Sequence, residues 1–226
     1  MKRLAIIPAR GGSKRLPRKN VLPFRGRPII AHTIEAALVS RCFERVLVST
    51  EDGEIAKAAK DAGAEVHERP TDLATDAAGV TEVCLEALLA EERAGRSYDV
   101  FACLYATAPL RRADDIAAVV ALIDSGSDFA IAVTSYAMPP HQALRVGENG
   151  TLSAMWPDLI ERRASDLGRL VVDNGSTYAA RVAALRKHRS FYGPGLRGHL
   201  MPRERSVDID EQADYELACY YAERIA

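Results

Sequence analysis

Residues 6–20 read IIPARGGSKRLPRKN: an apolar run stops at Pro8, two glycines follow, and Lys14, Arg15, Arg18 and Lys19 crowd the stretch beyond them. A strand that delivers the chain into such a loop can bring the backbone amides of Gly11, Gly12 and Ser13 close to a polyphosphate, because glycine has no Cβ to hold the ligand off. Arg10, Lys14 and Lys19 add charge-assisted contacts. The pattern is neither G-x-x-x-x-G-K-[ST] nor a G-x-G-x-x-G opening into a helix, so a P-loop ATPase and a dinucleotide-binding dehydrogenase both lose support. The plainer reading is a solvated basic turn, the usual fate of a charge run. Glycines adjoining the end of the first strand in a parallel sheet favour the phosphate site.

A second chemical feature lies far along the chain, in SVDID at residues 206–210. Read as a strand, it points Val207 and Ile209 inward and sets Asp208 and Asp210 together on the opposite face. Two carboxylates so placed suit a hard cation that keeps its waters and bridges to substrate phosphates, as Mg2+ does. An edge strand with solvated acids is the bland alternative. Opposite a triphosphate loop, however, a carboxylate pair is what nucleotidyl transfer needs.

The elements that must position these groups alternate strand with helix. Strands are expected at Leu4–Ile7, Arg45–Thr50, Ala64–His67, Asp99–Tyr105 and Phe129–Thr134. Helices are expected at Pro28–Val39, Asp52–Ala62, Val80–Arg93 and Asp114–Asp124, with a last one over Glu211–Ile225. This order predicts an α/β fold, a doubly wound and mostly parallel sheet whose ligand crevice gathers the loops after Ile7, Thr50 and Tyr105. From Ser135 the pattern changes: Asn149-Gly150 between alternating residues predicts a hairpin, within an excursion over about residues 135–170. The excursion reads either as a surface arm or as a dimerisation element, since a lone two-stranded hairpin is marginal in water. Met138, Met155 and Trp156 would then be interface core. Residues 193–206 read as a Gly- and Arg-rich loop.

Composition narrows the class. At 226 residues with 48% hydrophobic content, the chain makes one globular domain spanning 1–226. A net charge of −1 with few aromatics argues against nucleic acid as a partner. No apolar run nears the roughly 20 residues that span a bilayer, and the first one is too short for a signal peptide, so a cytoplasmic protein without membrane contact is expected. The four cysteines and five histidines show no ligand spacing.

Together IIPARGGSKRLPRKN, VSTEDGEIA (48–56), ERPTDLATD (68–76), YATAPLR (105–111), DNGSTY (173–178) and VDID (207–210) stand in the order and at the spacing of the acylneuraminate cytidylyltransferases, which the chain resembles over essentially its whole length. YATAP, TSY at 134–136 and RASDL at 163–167 are similar to the pseudaminic acid branch, whereas DNGSTY sits nearer the N-G-A-I-Y of the sialic and legionaminic acid enzymes. The resemblance implies a Rossmann-like nucleotide-diphospho-sugar transferase fold and a homodimer. It also implies attack by the anomeric hydroxyl of a nonulosonic acid, pseudaminic acid foremost, on the α-phosphorus of CTP, with release of pyrophosphate. Sialic or legionaminic acid is the alternative acceptor, KDO a more distant one. A nucleotide-binding module without turnover is the rival from another class.

Carried onto this chain, the family pattern implies that Ala9, Arg10, Gly11, Gly12, Ser13 and Lys14 hold the triphosphate. Lys19 together with Arg10 stabilises charge at the transferred phosphate, and Asn20 joins the nucleotide contacts. Arg69 and the 71–79 loop lie near cytosine, and Asp208 and Asp210 hold Mg2+. Tyr105, which stands where the family often has glutamine, belongs with Asn174, Tyr178 and Gln142 on the sugar side. Arg162 and Arg163 are candidates for the sugar carboxylate.

Overall fold

The computed structural model describes residues 1–75 and 77–225. Its strands in chain order are β1 (Arg3–Pro8), the two-residue pair β2 (Pro23–Phe24) and β3 (Arg27–Pro28), β4 (Arg45–Thr50), β5 (Glu65–Glu68), β6 (Val100–Leu104), β7 (Phe129–Ser135), β8 (Leu144–Val146), β9 (Leu152–Ala154), β10 (Val171–Arg181) and β11 (Arg197–Leu200). The helices are α1 (Ile29–Ser40), α2 (Gly53–Asp61), α3 (Val80–Arg93), α4 (Ala113–Asp124), α5 (Val182–His188) and α6 (Gln212–Ala222).

The alternation within β1 sets the architecture. Ala5 and Ile7 pack against Ile30 and Ile34 of α1, Ile55 of α2 and Ile116 and Val119 of α4, while Leu4 and Ile6 face Cys84 and Leu88 of α3 and Leu185 of α5. A strand buried on both faces has to be central and covered twice. Among the described residues, seven strands form the main sheet in the order β11-β7-β10-β6-β1-β4-β5, all parallel except β10. From β1 the chain winds outward through β4 and β5, then returns to β6 on the other side of β1. That reversal places the topological switch point between β1 and β6, where open α/β sheets bind ligands at the carboxyl ends of their strands.

The expected strands and helices of the first half appear with small shifts at their ends. Asp52 caps α2 by accepting from the amides of Glu54 and Ile55, both at 3.0 Å, and Gly63 follows with φ +91°. The hairpin also appears: β8 pairs with β9 antiparallel, and Asn149 and Gly150 both take positive φ in the connection, as a tight reversal requires.

Three expectations needed correction. Ser206–Asp210 is not a strand: it crosses the carboxyl end of β6, where the Ile209 amide donates to the Thr107 carbonyl at 2.9 Å. Val207 and Ile209 are nonetheless buried, in a third cluster with Leu16, Phe24, Ile29 and Ala218 of α6, so the alternation came from packing under α6 and not from a ladder. The stretch 193–206 is not all loop, since Arg197–Leu200 pairs parallel with β7 at the sheet edge. The terminal helix closes at Ala222, short of Ile225.

Candidate active site

A cleft of about 460 Å3 opens at the switch point. The loop after β1 forms its floor. Ala9 still donates its amide to Ser49 in ladder fashion and its side chain lies in the core. Beyond it the backbone turns: the Gly11 amide donates to Glu51 Oε1 at 2.8 Å and the Ser13 amide to the Gly11 carbonyl at 3.0 Å. An added Cβ at Gly11 would collide with the Asp52 carboxylate, which would have to shift. Asn20, buried, donates from Nδ2 to the Arg10 carbonyl at 3.0 Å and so ties the two ends of the loop together.

Internal acids account for part of the loop's charge. Arg18, at φ +59°, pairs with Asp52 and Glu54, and this pairing holds the Asp52 carboxyl below the usual carboxylate range. Lys19 Nζ donates to Asp210 Oδ1 at 2.7 Å and to the Ile209 carbonyl at 3.1 Å, while Arg15 reaches Asp210 Oδ2 at 2.6 Å. Burial alone would raise the Asp210 carboxyl; the hydrogen bonds and charge of Lys19 and Arg15 win and hold it low. Asp208 goes the other way. Burial raises its carboxyl and the neighbouring Asp210 adds to this, against the opposing bond from Thr107 Oγ1 at 2.5 Å.

Arg69 forms the opposite wall. It is 5% exposed, and its guanidinium donates to the Ser49 carbonyl at 2.6 Å and to Ser49 Oγ at 3.3 Å. Burial pulls its pKa down. The nearby Glu51 carboxylate acts against that shift. Leu73, Thr75 and Ala78 continue this wall, with Val80 and Val83 of α3 behind them. Asp76, within the stretch expected near a base, lies outside the described residues.

Among the described residues, the lining thus unites Arg10, Ser13, Lys14, Lys19, Asn20, Arg69, Tyr105 and Asp210 from distant parts of the chain. It does not include Ala9, Gly11, Gly12, Asn174, Tyr178, Gln142 or Asp208. Asn174 is buried in the irregular part of β10, where Oδ1 accepts from the Ser176 amide at 3.1 Å and Nδ2 donates to Ser206 Oγ at 3.1 Å. Tyr178 packs its ring 5.3 Å from that of Tyr105, one layer back. Gln142 stands exposed in the excursion, beside a buried His141 whose Nε2 meets the Arg162 carbonyl at 3.0 Å.

A family model described as cytidylyltransferase matches residues 4–139. The chain belongs to the cytidylyltransferase family. It is therefore a nucleotidyltransferase, and the cleft is its candidate active site. This cytidylyltransferase is 36% identical over 220 residues, 96% of this chain and 95% of the relative, to a pseudaminic acid cytidylyltransferase of Campylobacter jejuni. It is 34% identical over 222 residues, 96% of this chain and 94% of the relative, to a CMP-N,N'-diacetyllegionaminic acid synthase of Legionella pneumophila. Among solved structures it shares its fold with a CMP:2-keto-3-deoxy-manno-octonic acid synthetase complexed with CTP, at TM-score 0.74 and 20% identity over all of both chains.

Sequence reasoning assigned no role to two groups that shape the cytidylyltransferase cleft. Arg111, buried, donates to the Ser176 carbonyl at 2.6 Å and to Thr33 Oγ1 at 2.7 Å, and burial pushes its pKa down to about 10. It ties the end of β6 to β10 and α1. Glu51 occupies the Gly11 amide. The stretches YATAPLR and VSTEDGEIA contain both residues, yet neither spacing says which carbonyl or amide they reach.

Proposed function

We propose that this enzyme transfers CMP from CTP to the anomeric hydroxyl of a nonulosonic acid, with pseudaminic acid as the acceptor and pyrophosphate as the leaving product. The observation that carries this reading is the cleft itself, where the cationic loop after β1, the buried Arg69 and the Lys19–Asp210 pair converge at the switch point. The whole-length similarity to the pseudaminic acid and legionaminic acid enzymes supports the sugar class. YATAP supports the pseudaminic branch.

Arg10, Ser13 and Lys14 bind the triphosphate, and Lys19 stabilises charge on the transferred phosphate. Asn20 acts by holding the Arg10 backbone. Arg69, walled by Leu73 and Val83, faces the base. Tyr105 faces the sugar; Asn174 shapes β10 behind it and Tyr178 supports its ring. Catalysis of this kind needs positioning and charge stabilisation and no covalent enzyme intermediate.

Asp208 and Asp210 fit a Mg2+ site of the type that relies on substrate phosphates and water for its other ligands. Both are oxygen donors, and Asp208 feels the charge of Asp210. A bound Mg2+ would supply neutralisation of phosphate charge.

The excursion supports a homodimer. Met138, Val146 and Leu152 are 78, 76 and 62% exposed, and Val146 and Leu152 are cross-strand partners in a hairpin too small to stand alone. A second copy of the chain covers this surface.

The deciding experiment is pyrophosphate release from CTP and Mg2+ with pseudaminic, legionaminic and N-acetylneuraminic acids supplied in parallel. Release with pseudaminic acid alone is expected. Release with another of the three alone would move the sugar assignment, and silence with all three would overturn the transfer reading.

A further inference from the structure

The hydrogen bonds of the Arg69 side chain end on Ser49, and Ser49 is the inner end of a polar string that leads away from the cleft. Ser49 of β4 and His67 of β5 are register partners on neighbouring parallel strands. Leu47 of β4 packs with Cys84 and Leu88 of α3, and alternation along the strand turns Ser49, two positions on, to the same side. There His67 Nδ1 lies 3.3 Å from Ser49 Oγ, and His67 Nε2 lies 3.0 Å from Oε2 of Glu86 on α3. On the cleft side Arg69 Nε donates to Ser49 Oγ at 3.3 Å and Nη2 to the Ser49 carbonyl at 2.6 Å, which leaves Nη1 as the guanidinium nitrogen that Ser49 does not engage. The Ser49 carbonyl also accepts the Ala9 amide at 3.0 Å, so one residue fixes both Arg69 and the start of the loop after β1.

Proton counting orients the string. Glu86 Oε2 is buried and makes no hydrogen bond among the described residues; His67 meets it as an ion-pair contact. A bare ring nitrogen 3.0 Å from a carboxylate oxygen would set lone pair against lone pair, so Nε2 carries a proton. In the neutral imidazole Nδ1 is then the acceptor, and the group within its reach is the Ser49 hydroxyl. Ser49, fully buried, gives its one proton to His67 and turns its lone pairs to Arg69 Nε. A guanidinium has donors only, so lone pairs are what it needs there. Without the imidazole the buried hydroxyl loses its acceptor, and its lone pairs lose their fixed direction.

We propose that Glu86 and His67 are positioning residues for the nucleotide: acting through Ser49, they hold the Arg69 guanidinium by its Nε–Nη2 edge and leave Nη1 for the base. Neither lines the cleft, and both act on CTP only by fixing Arg69. The inference rests on the reading above in which Arg69 faces the base.

Calorimetric binding of CTP, with no sugar present, tests it in a cycle of His67→Phe and Arg69→Ala, with a melting curve run on each variant. His67→Phe is expected to raise the Kd for CTP on the order of tenfold, the worth of one hydrogen bond. In the Arg69→Ala background the same change is expected to leave the Kd where Arg69→Ala alone puts it, because the string acts through the guanidinium. If His67 only packed α3 on the sheet, His67→Phe would lower Tm with an unchanged Kd, or would raise the Kd by the same factor in both backgrounds; either result would overturn the proposal. Should His67→Phe not fold, Glu86→Gln takes its place, since an amide of the same size can meet either tautomer of His67 and no longer selects one. A raised Kd that again depends on Arg69 is expected. A wild-type Kd in Arg69→Ala would overturn the base-facing reading and this inference with it; a raised Kd in Arg69→Ala with an additive cycle would overturn the inference alone.

Discussion

Lys19 and Asp210 are each other's partner at 2.7 Å, although 191 positions separate them in the chain. In the proposed reaction Lys19 is the group that meets charge developing on the transferred phosphate. Lys19→Ala is expected to lower kcat on the order of a hundredfold or more, a loss of about 3 kcal/mol, with a smaller change in KM for CTP. An unchanged kcat in steady-state assays would remove Lys19 from the chemistry. Asp210 is held low by Lys19 and Arg15, so it stays ionised, and a cation would share its oxygens with these two side chains. Asp210→Asn is expected to raise the Mg2+ concentration needed for half-maximal turnover. A Mg2+ titration that superimposes on the wild-type curve would show that the carboxylate serves only to fix Lys19 and Arg15.

At the scale of elements, the irregular stretch of β10 and the ion cluster between α3 and the sheet carry distinct burdens. Gly175 sits at φ +67°, and a Cβ there would lie 2.8 Å from Asp208 Oδ2. Gly175→Ala is expected to cost about 1–2 kcal/mol through the left-handed backbone alone, a fall in Tm of roughly 2–8 °C for a chain this size. An unchanged melting curve would mean that β10 relaxes without strain. Glu91 of α3 accepts from Arg96 at 2.7 and 2.8 Å, from Tyr98 at 2.9 Å and from Arg45 of β4. Bonds from Arg96 first, then Arg45 and Tyr98, outweigh burial and hold its carboxyl down to about 2, below the ordinary 4.5. A depressed carboxyl stabilises the fold fully above the unfolded value, and that stability fades as pH falls from about 4.5 towards 2. Glu91→Gln is expected to destabilise by about 3 kcal/mol at neutral pH, with a shallower loss on acidification. Denaturant titrations at neutral and acid pH check both points.

For the whole molecule, the main sheet carries the candidate site and the excursion carries the proposed assembly surface. Val146 and Leu152 are exposed on the hairpin, the surface that the proposed homodimer covers with a second copy. Val146→Asp is expected to shift the protein from dimer to monomer in light scattering, because a charge cannot be buried unpaired in an interface core. A monomeric wild type, or a dimer indifferent to the change, would return the excursion to a surface arm. Among the described residues no helix is long and apolar enough to cross a membrane.

Much of this was legible in the sequence because it rests on local periodicity. β1 announced itself by an apolar run, α2 by Asp52 at its start and Gly63 past its end, and the hairpin by Asn149-Gly150; each signal acts within a few residues. The loop after β1 was legible as a phosphate candidate because glycine and lysine carry their chemistry wherever they stand. Only the tertiary structure decided the rest. It paired Arg18 with Asp52 and Lys19 with Asp210, turned the Gly11 amide to Glu51, and put Asn174 and Tyr178 behind the cleft wall. It also showed the alternation of SVDID to be packing under α6. These are long-range outcomes, in which one carbonyl or carboxylate among many is selected by how the sheet brings distant loops together. No spacing within a segment encodes that choice, whereas the sheet order β6-β1-β4 makes it unavoidable.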